Sequence, residues 1–363
     1  MHFTFFTIIA FIIIFTVVVV SHEFGHFLIA KQNGIKVNEF AVGMGPVIFK
    51  KVVGETRYVI RLLPIGGACV FEGEDGIYED EDTEEEEDKP KIAREGTFSA
   101  APVWGRIATV IAGPVFNIIL AYILAIFICW FCGSDIPMIQ GVSEGYPAAE
   151  AGLMAGDRII QINHQRIHLW REISVLSYIG DGGPSRVIYE RDGERYETIV
   201  TPVYSSADDR FYYGISGGTS FVDCSNLSVF KYSWYEVRYW LLTTLQSLKY
   251  MIQGRASADD IAGPVGVATV IDDTIEKTVD EGPFTVIINM ANIALLLSVN
   301  LGVLNLLPIP ALDGGRLVFL IIEAIRGKAV PPEKEGLVHM IGFVLLMVLM
   351  VFVLYNDIMR IIR

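Results

Sequence analysis

The sequence predicts a multi-pass α-helical membrane protein with four transmembrane helices, a membrane-associated β-hairpin and an inserted α+β domain. Three observations carry that reading. Hydrophobic residues make up 52% of the 363 positions and charged residues only 19%, a balance foreign to ordinary soluble enzymes. The apolar residues are concentrated in four long runs. Between the second and third runs lie roughly 150 residues rich in turn signals, enough for a folded domain.

The first span covers about residues 3–30, and from Phe3 to Ser21 it holds no charge, close to the ~20 residues needed to cross a ~30 Å core. A cleaved signal peptide is the competing reading, but the basic leader and the small-residue cleavage site are both missing. The second span covers about 103–131, the third about 284–307 and the fourth about 337–355. The third contains Asn289, Asn292, Asn300 and Asn305, which at that depth must face a bundle interior or a cavity. Lys and Arg gather in the loops after spans one and three, which places those loops on the cytoplasmic side and residues 133–283 outside.

Residues 1–132 therefore form the first half of a membrane core and residues 284–363 the second half. Within the first half, residues 58–71 (YVIRLLPIGGACVF) are too short to span as a helix, and Gly66-Gly67 between β-prone runs predicts a hairpin. Inside a bilayer such a hairpin is tolerable only where protein or a cavity satisfies its backbone. The acidic run 72–88 follows and reads as a solvated loop. It holds twelve carboxylates and no Lys or Arg, so removing it from the net charge of −14 leaves −2. That balance speaks against general nucleic-acid binding. The four cysteines are too few for a disulfide scaffold. Cys129 and Cys132 read as helix packing.

Residues 137–203 alternate short apolar runs with Gly, Pro, Asn and Asp turns, and end in a hairpin through Arg191-Asp192-Gly193-Glu194. In the connector 204–283, residues 227–254 form an amphipathic helix. Its Trp234, Tyr235, Tyr239 and Trp240 suit a headgroup layer; packing on the inserted domain is the equal alternative. His164 and His168 share i,i+4 spacing but lack a third partner, and read as surface or packing residues.

Chemistry is concentrated at the end of the first span, in His22-Glu23-Phe24-Gly25-His26. Helical i,i+4 spacing turns both imidazoles to one face, where they can share an ion, and Glu23 lies beside them as a general base. Neutral imidazoles in a tetrahedral hydrolytic site point to zinc. A third ligand is needed. Glu39 and Glu55 fall in no convincing helix, and Asp313 is the better candidate. It follows Asn305-Leu306-Leu307-Pro308-Ile309-Pro310, where prolines break the third span.

These residues make the chain resemble the site-2 proteases, intramembrane zinc metalloproteases, in their bacterial RseP-type branch. HEFGH and Leu312-Asp313-Gly314 match the family's two motifs. Gly43-Met44-Gly45-Pro46, Arg61-Leu62-Leu63-Pro64-Ile65-Gly66-Gly67, Phe98 with Arg106, Ala112-Gly113-Pro114-Val115-Phe116-Asn117 and Ala262-Gly263-Pro264-Val265-Gly266 match its flanking elements. Residues 137–203 resemble a single bacterial PDZ domain through Gly145-Tyr146-Pro147-Ala148, Ala151-Gly152-Leu153 and Gly156-Asp157-Arg158-Ile159. Met44 replaces a common Phe, and RseP proper carries two PDZ units.

The resemblance implies an endopeptidase of the bacterial cytoplasmic membrane. Zn2+ would be held by His22, His26 and Asp313, with Glu23 as base and the active site toward the cytoplasm. Its substrates would be transmembrane proteins already cut by an upstream protease, such as anti-sigma factors, or remnant signal peptides. Asn305, Arg61, Gly66 and Gly67 are candidate substrate-side residues, the last three through the hairpin. The rivals are a non-cleaving membrane scaffold, against which the intact motif set argues, and a transporter, which predicts internal repeats that the sequence lacks.

Overall fold

The computed structural model describes residues 4–73, 95–206, 208, 210–255 and 262–362. The acidic run therefore lies, beyond residue 73, outside the described residues. In chain order the elements are α1 (Phe5–Gln32), β1 (Val37–Val53), β2 (Thr56–Phe71), α2 (Val103–Cys132), β3 (Ser134–Asp135), β4 (Ile139–Val142), α3 (Pro147–Glu150), β5 (Arg158–Ile162), β6 (Gln165–Arg166), α4 (Trp170–Ile179), β7 (Ser185–Arg191) and β8 (Glu194–Val200). There follow β9 (Val203–Ser205), β10 (Arg210–Tyr212), β11 (Ile215–Gly217), β12 (Phe221–Val222), α5 (Ser228–Ile252), α6 (Pro264–Thr278), α7 (Pro283–Asn305), α8 (Asp313–Arg326) and α9 (Pro332–Ile362). Among the described residues, four helices are long and apolar enough to cross a membrane: α1, α2, α7 and residues Pro332–Arg360 of α9. The chain is a multi-pass membrane protein with mixed helix and sheet.

Contacts divide it into two compact units, residues 1–121 with 257–363, and residues 122–256.

In the first unit α1 starts at Thr4, whose hydroxyl accepts the Thr7 N–H as an N-cap. Thr7 in turn donates through its hydroxyl to Asp272 of α6 at 2.5 Å. A hairpin of 58–71 closing on itself is not what forms. β2 is one long strand whose partner is β1, and the two halves of 58–71 lie on opposite flanks of it. Phe40 faces both Cys69 and Tyr58, Ala41 both Ala68 and Val59, and Val42 both Gly67 and Ile60. The tight turn instead joins Val53 to Thr56 through Gly54 (φ +63°). Gly66 does take a left-handed φ of +83°, but at the crossing from one flank to the other. β1, just upstream in the chain, is the partner strand that a local pairing rule overlooks.

The third span ends at Asn305, and the chain turns through Leu307–Leu312 before α8 begins at Asp313. Residues preceding Pro308 and Pro310 are pushed out of helical geometry, which separates the two helices. α6 is a helix that the connector reading did not resolve; its Ile271 is fully buried. Buried Asp357 of α9 caps it, accepting the N–H groups of Gly263 at 3.1 Å and Gly266 at 2.9 Å.

The second unit has a four-stranded sheet in the order β6-β5-β7-β8 and a two-stranded pair β4-β11. The β7–β8 turn places Asp192 and Gly193 at φ +52° and +83°, as the Asp-Gly signal requires. Its core joins Ile139, Leu153, Ile159, Ile173 and Val187 to Tyr213, so the folded unit runs past the boundary at 203 that the sequence pattern suggests. The amphipathic helix is packed on this unit: Val229, Ser233, Glu236 and Val237 of α5 are buried. Arg171 of α4 bridges Glu236 and Asp135, and Arg238 donates to buried Glu172 at 2.8 Å. His168 stacks on Tyr235 at 4.0 Å between centroids, a packing role. Cys129 and Cys224 are buried together, and none of the four cysteines is in a disulfide.

Candidate metal centre

α1 carries His22 and His26 one turn apart, both less than 10% exposed. Their Nε2 atoms stand 3.2 Å from each other. Asp313, the first residue of α8, brings Oδ2 to 3.1 Å from His22 Nε2 and 3.3 Å from His26 Nε2. Those three residues form a group whose ligand atoms all lie within 4.8 Å of one another; Glu23 stays outside it.

The triangle suits a metal on two counts. Four tetrahedral ligands about 2.0 Å from zinc stand about 3.3 Å apart, the spacing found here. Asp313 Oδ2 is also buried and accepts no hydrogen bond, an arrangement costly for a carboxylate unless a cation faces it. The histidines are oriented for the same role. His26 Nδ1–H donates to the Thr109 carbonyl at 2.9 Å, which leaves Nε2 with its lone pair toward the triangle. His22 Nδ1 meets the side-chain amide of fully buried Asn117 at 3.3 Å. The Asn117 Oδ1 has no partner. Turning that amide over places Oδ1 on the His22 Nδ1–H and satisfies both groups.

The helices close around this point because small residues allow it. A Cβ on Gly113 of α2 would fall 2.3 Å from His26 Nε2, so only glycine lets α2 approach the imidazoles. Ser21 donates to the Phe116 carbonyl at 3.2 Å, and Ser298 of α7 to the Asn117 carbonyl at 2.8 Å. α8 is held from its other side by a paired contact of Glu323 with Arg106 and by Arg316 over the Phe98 ring at 4.4 Å.

The other sequence-derived candidates separate clearly. Glu23 lies beside the triangle; its carboxylate takes a hydrogen bond from the Cys69 backbone, and a Cβ on Gly67 would come 2.9 Å from its Cγ. Asn305, at the end of α7, has Nδ2 3.1 Å from His22 Nε2. Arg61 is engaged within the sheet, donating to Glu39 at 2.6 Å and to the Gly45 carbonyl at 3.2 Å. Gly66 packs near Met44. The alternative third ligands are occupied: Glu39 pairs with Arg57 and Arg61, and Glu55 with Lys31. Thr109 and Asn117 were missed as site residues. A polar side chain in mid-span was the available signal for Asn117, whereas a backbone carbonyl leaves none.

The profile of Peptidase family M50 matches residues 10–349. RasP of Bacillus subtilis, named a regulator of sigma-W protease, is 34% identical over 426 residues, covering 98% of each chain. RasP of Geobacillus kaustophilus, named a zinc metalloprotease, is 34% identical over 421 residues, again 98% of each. A Clostridium acetobutylicum protein, whose name assigns it by inference to the zinc metalloproteases, is 35% identical over 356 residues and 98% of each chain. With a match along nearly its whole length, the chain belongs to Peptidase family M50, the site-2 type of zinc metalloprotease.

Proposed function

We propose that the chain is an intramembrane endopeptidase in which His22, His26 and Asp313 hold zinc and Glu23 is the general base. The triangle of two imidazole nitrogens and one buried carboxylate oxygen, built on a membrane-spanning helix, carries this reading. Zinc in that position supplies Lewis acidity and a water that ionises near neutral pH. Glu23 removes a proton as the water oxygen attacks the peptide carbon. It returns that proton to the nitrogen as the C–N bond breaks. The Asn305 amide, 3.1 Å from His22 Nε2, would donate to a substrate carbonyl.

A transmembrane substrate must unwind before its amides can react. Residues 67–71 of β2 pair with β1 on one flank, and the Cys69 backbone reaches Glu23. An unwound segment added along this strand would be held extended beside the base, with main-chain hydrogen bonds replacing the lost helical ones. Gly66 permits the chain crossing that exposes the strand, Gly67 gives clearance to Glu23, and Arg61 fixes the sheet rather than touching substrate. The exposed apolar residues Val47, Ile48, Phe49, Leu62 and Leu63 fit a sheet that enters the lipid.

Residues 137–203 would form one PDZ-like domain on the outer side of the membrane, with the active site toward the cytoplasm. A cavity of about 220 Å3 between α4 and residues 210–217, lined by Trp170, Ile173, Arg210 and Gly214, offers a place for an extended peptide or a size filter. By analogy with the sigma-W regulator, the substrates are membrane-anchored proteins such as anti-sigma factors, already shortened by a first protease, or remnant signal peptides.

The test is cleavage of a model transmembrane substrate by the purified chain. Glu23→Gln is expected to keep its zinc and lose activity by at least about 100-fold, as expected for a general base. Cutting at the wild-type rate would remove Glu23 from the mechanism.

A further inference from the structure

We propose that His339, on the last membrane helix, is a positioning residue for Asp313. The inference rests on the reading of Asp313 as the third zinc ligand and adds a support for it that the motif does not contain. Asp313 is delivered by the segment Leu306–Leu312, which has little regular structure of its own. Its internal bonds are short-range turns: Ile309 N–H to the Leu307 carbonyl, Leu312 N–H to the Ile309 carbonyl and Gly315 N–H to the Leu312 carbonyl.

Within it Ala311 has a φ of +74°. A residue with a Cβ is disfavoured in that left-handed region and stays there only where its surroundings hold it. Two contacts from α9 do so. His339 Nδ1 accepts the Ala311 N–H at 2.9 Å. One turn further along α9, Gly342 meets Pro310 so closely that a Cβ would fall 2.4 Å from the Pro310 Cβ and 2.6 Å from its carbonyl oxygen. Ala311 is two residues before the ligand, so both contacts act on the backbone that aims the carboxylate.

The imidazole has two further neighbours. With Nδ1 accepting, the neutral ring carries its proton on Nε2, which stands 4.0 Å from Glu335 Oε1 one turn earlier on α9. The ring also packs on Phe319 of α8, with centroids 5.7 Å apart. His339 thus touches α8 and the segment before it, without reaching the metal triangle. α9 otherwise has little protein cover, with only 6% of its apolar window buried. Holding the ligand segment is a specific task for a helix that is largely turned to lipid.

The experiment uses the full chain in detergent, with zinc affinity measured by chelator competition and ligand geometry by visible absorption of the cobalt-substituted protein. His339→Ala is expected to weaken zinc binding about 10–100-fold, the range for lost outer supports of a metal ligand, and to alter the cobalt bands. His339→Asn, whose Oδ1 can replace Nδ1 as acceptor, is expected to recover most of both. Wild-type affinity and an unchanged cobalt spectrum in His339→Ala, with metal lost in a parallel Asp313→Ala, would overturn the inference and leave the ligand assignment standing. Equal loss in His339→Asn and His339→Ala would overturn the hydrogen-bond role. Should Asp313→Ala keep wild-type affinity, the ligand assignment falls and this inference falls with it.

Discussion

His22 and His26 are aimed by groups that do not touch the metal position. His26 is held by a backbone carbonyl of α2, and His22 by the Asn117 side chain buried in the same helix. Removing an outer partner of a zinc-bound histidine commonly costs 10–100-fold in affinity. Asn117→Ala is therefore expected to raise the zinc dissociation constant by about that factor, read by chelator competition, while Ser298→Ala should change it far less. The pair His22 and His26 was legible in the sequence because i,i+4 spacing is a local property of helices. Asp313 was legible because prolines marked the break in α7. The Asn117 contact was not, since it depends on how α2 crosses α1, and no spacing in the chain encodes that.

At the scale of elements, the β1–β2 sheet shows where local reading fails. Gly66-Gly67 looked like a hairpin turn, but β-pairing is decided by what lies on either flank. β1 supplied a central strand with partners on both sides. The consequence for function is that Gly67, rather than being a turn residue, is a clearance residue against Glu23 and Val19. A bulkier side chain there should displace Glu23, the proposed base, and leave His22, His26 and Asp313 alone. Gly67→Val is expected to lower kcat by about 100-fold, the cost of a shift near 1 Å in a reacting group, while retaining one zinc per chain. Loss of zinc in parallel with activity would show that the strand supports the ligands instead. α6 escaped notice for a different reason: Pro264 marks its start locally, but the side chain that caps it, Asp357, lies nearly a hundred positions away.

At the scale of the whole molecule, the chain divides into a membrane unit and a second unit of residues 122–256 with its own core. The second unit has a titrating contact of its own. Burial first, then the charges of Arg238, Arg166, Lys231 and Arg158, lowers the His168 pKa from 6.5 to about 4. A histidine whose folded pKa is lowered takes up its proton more readily when unfolded, so stability is full above about pH 6.5 and declines as pH falls toward 4. Glu172, pushed up to about 6 chiefly by burial, works in the opposite direction, favouring the fold as it protonates. The two are separated by substitution. His168→Phe keeps a ring to stack on Tyr235 and cannot be protonated. Tryptophan fluorescence melts at pH 7 and pH 5 should show a smaller loss, or a gain, on acidification in this variant than in the wild type. Identical pH responses would exclude His168 as the source.

The four apolar spans were visible in composition, since hydrophobicity is a sequence property. The ion pairs of Arg171 with Asp135 and Glu236, and of Arg238 with Glu172, were not, because the partners lie far apart in the chain and meet only through packing. The membrane unit, by contrast, is organised around one point, and the central claim is that His22, His26 and Asp313 hold a single zinc there. Zinc content per chain, measured on purified wild-type protein and on Asp313→Ala after the same dialysis, tests it most directly. The account predicts about one zinc in the wild type and little retained in the variant, since only two of three protein ligands remain. Stoichiometric zinc in Asp313→Ala would contradict it.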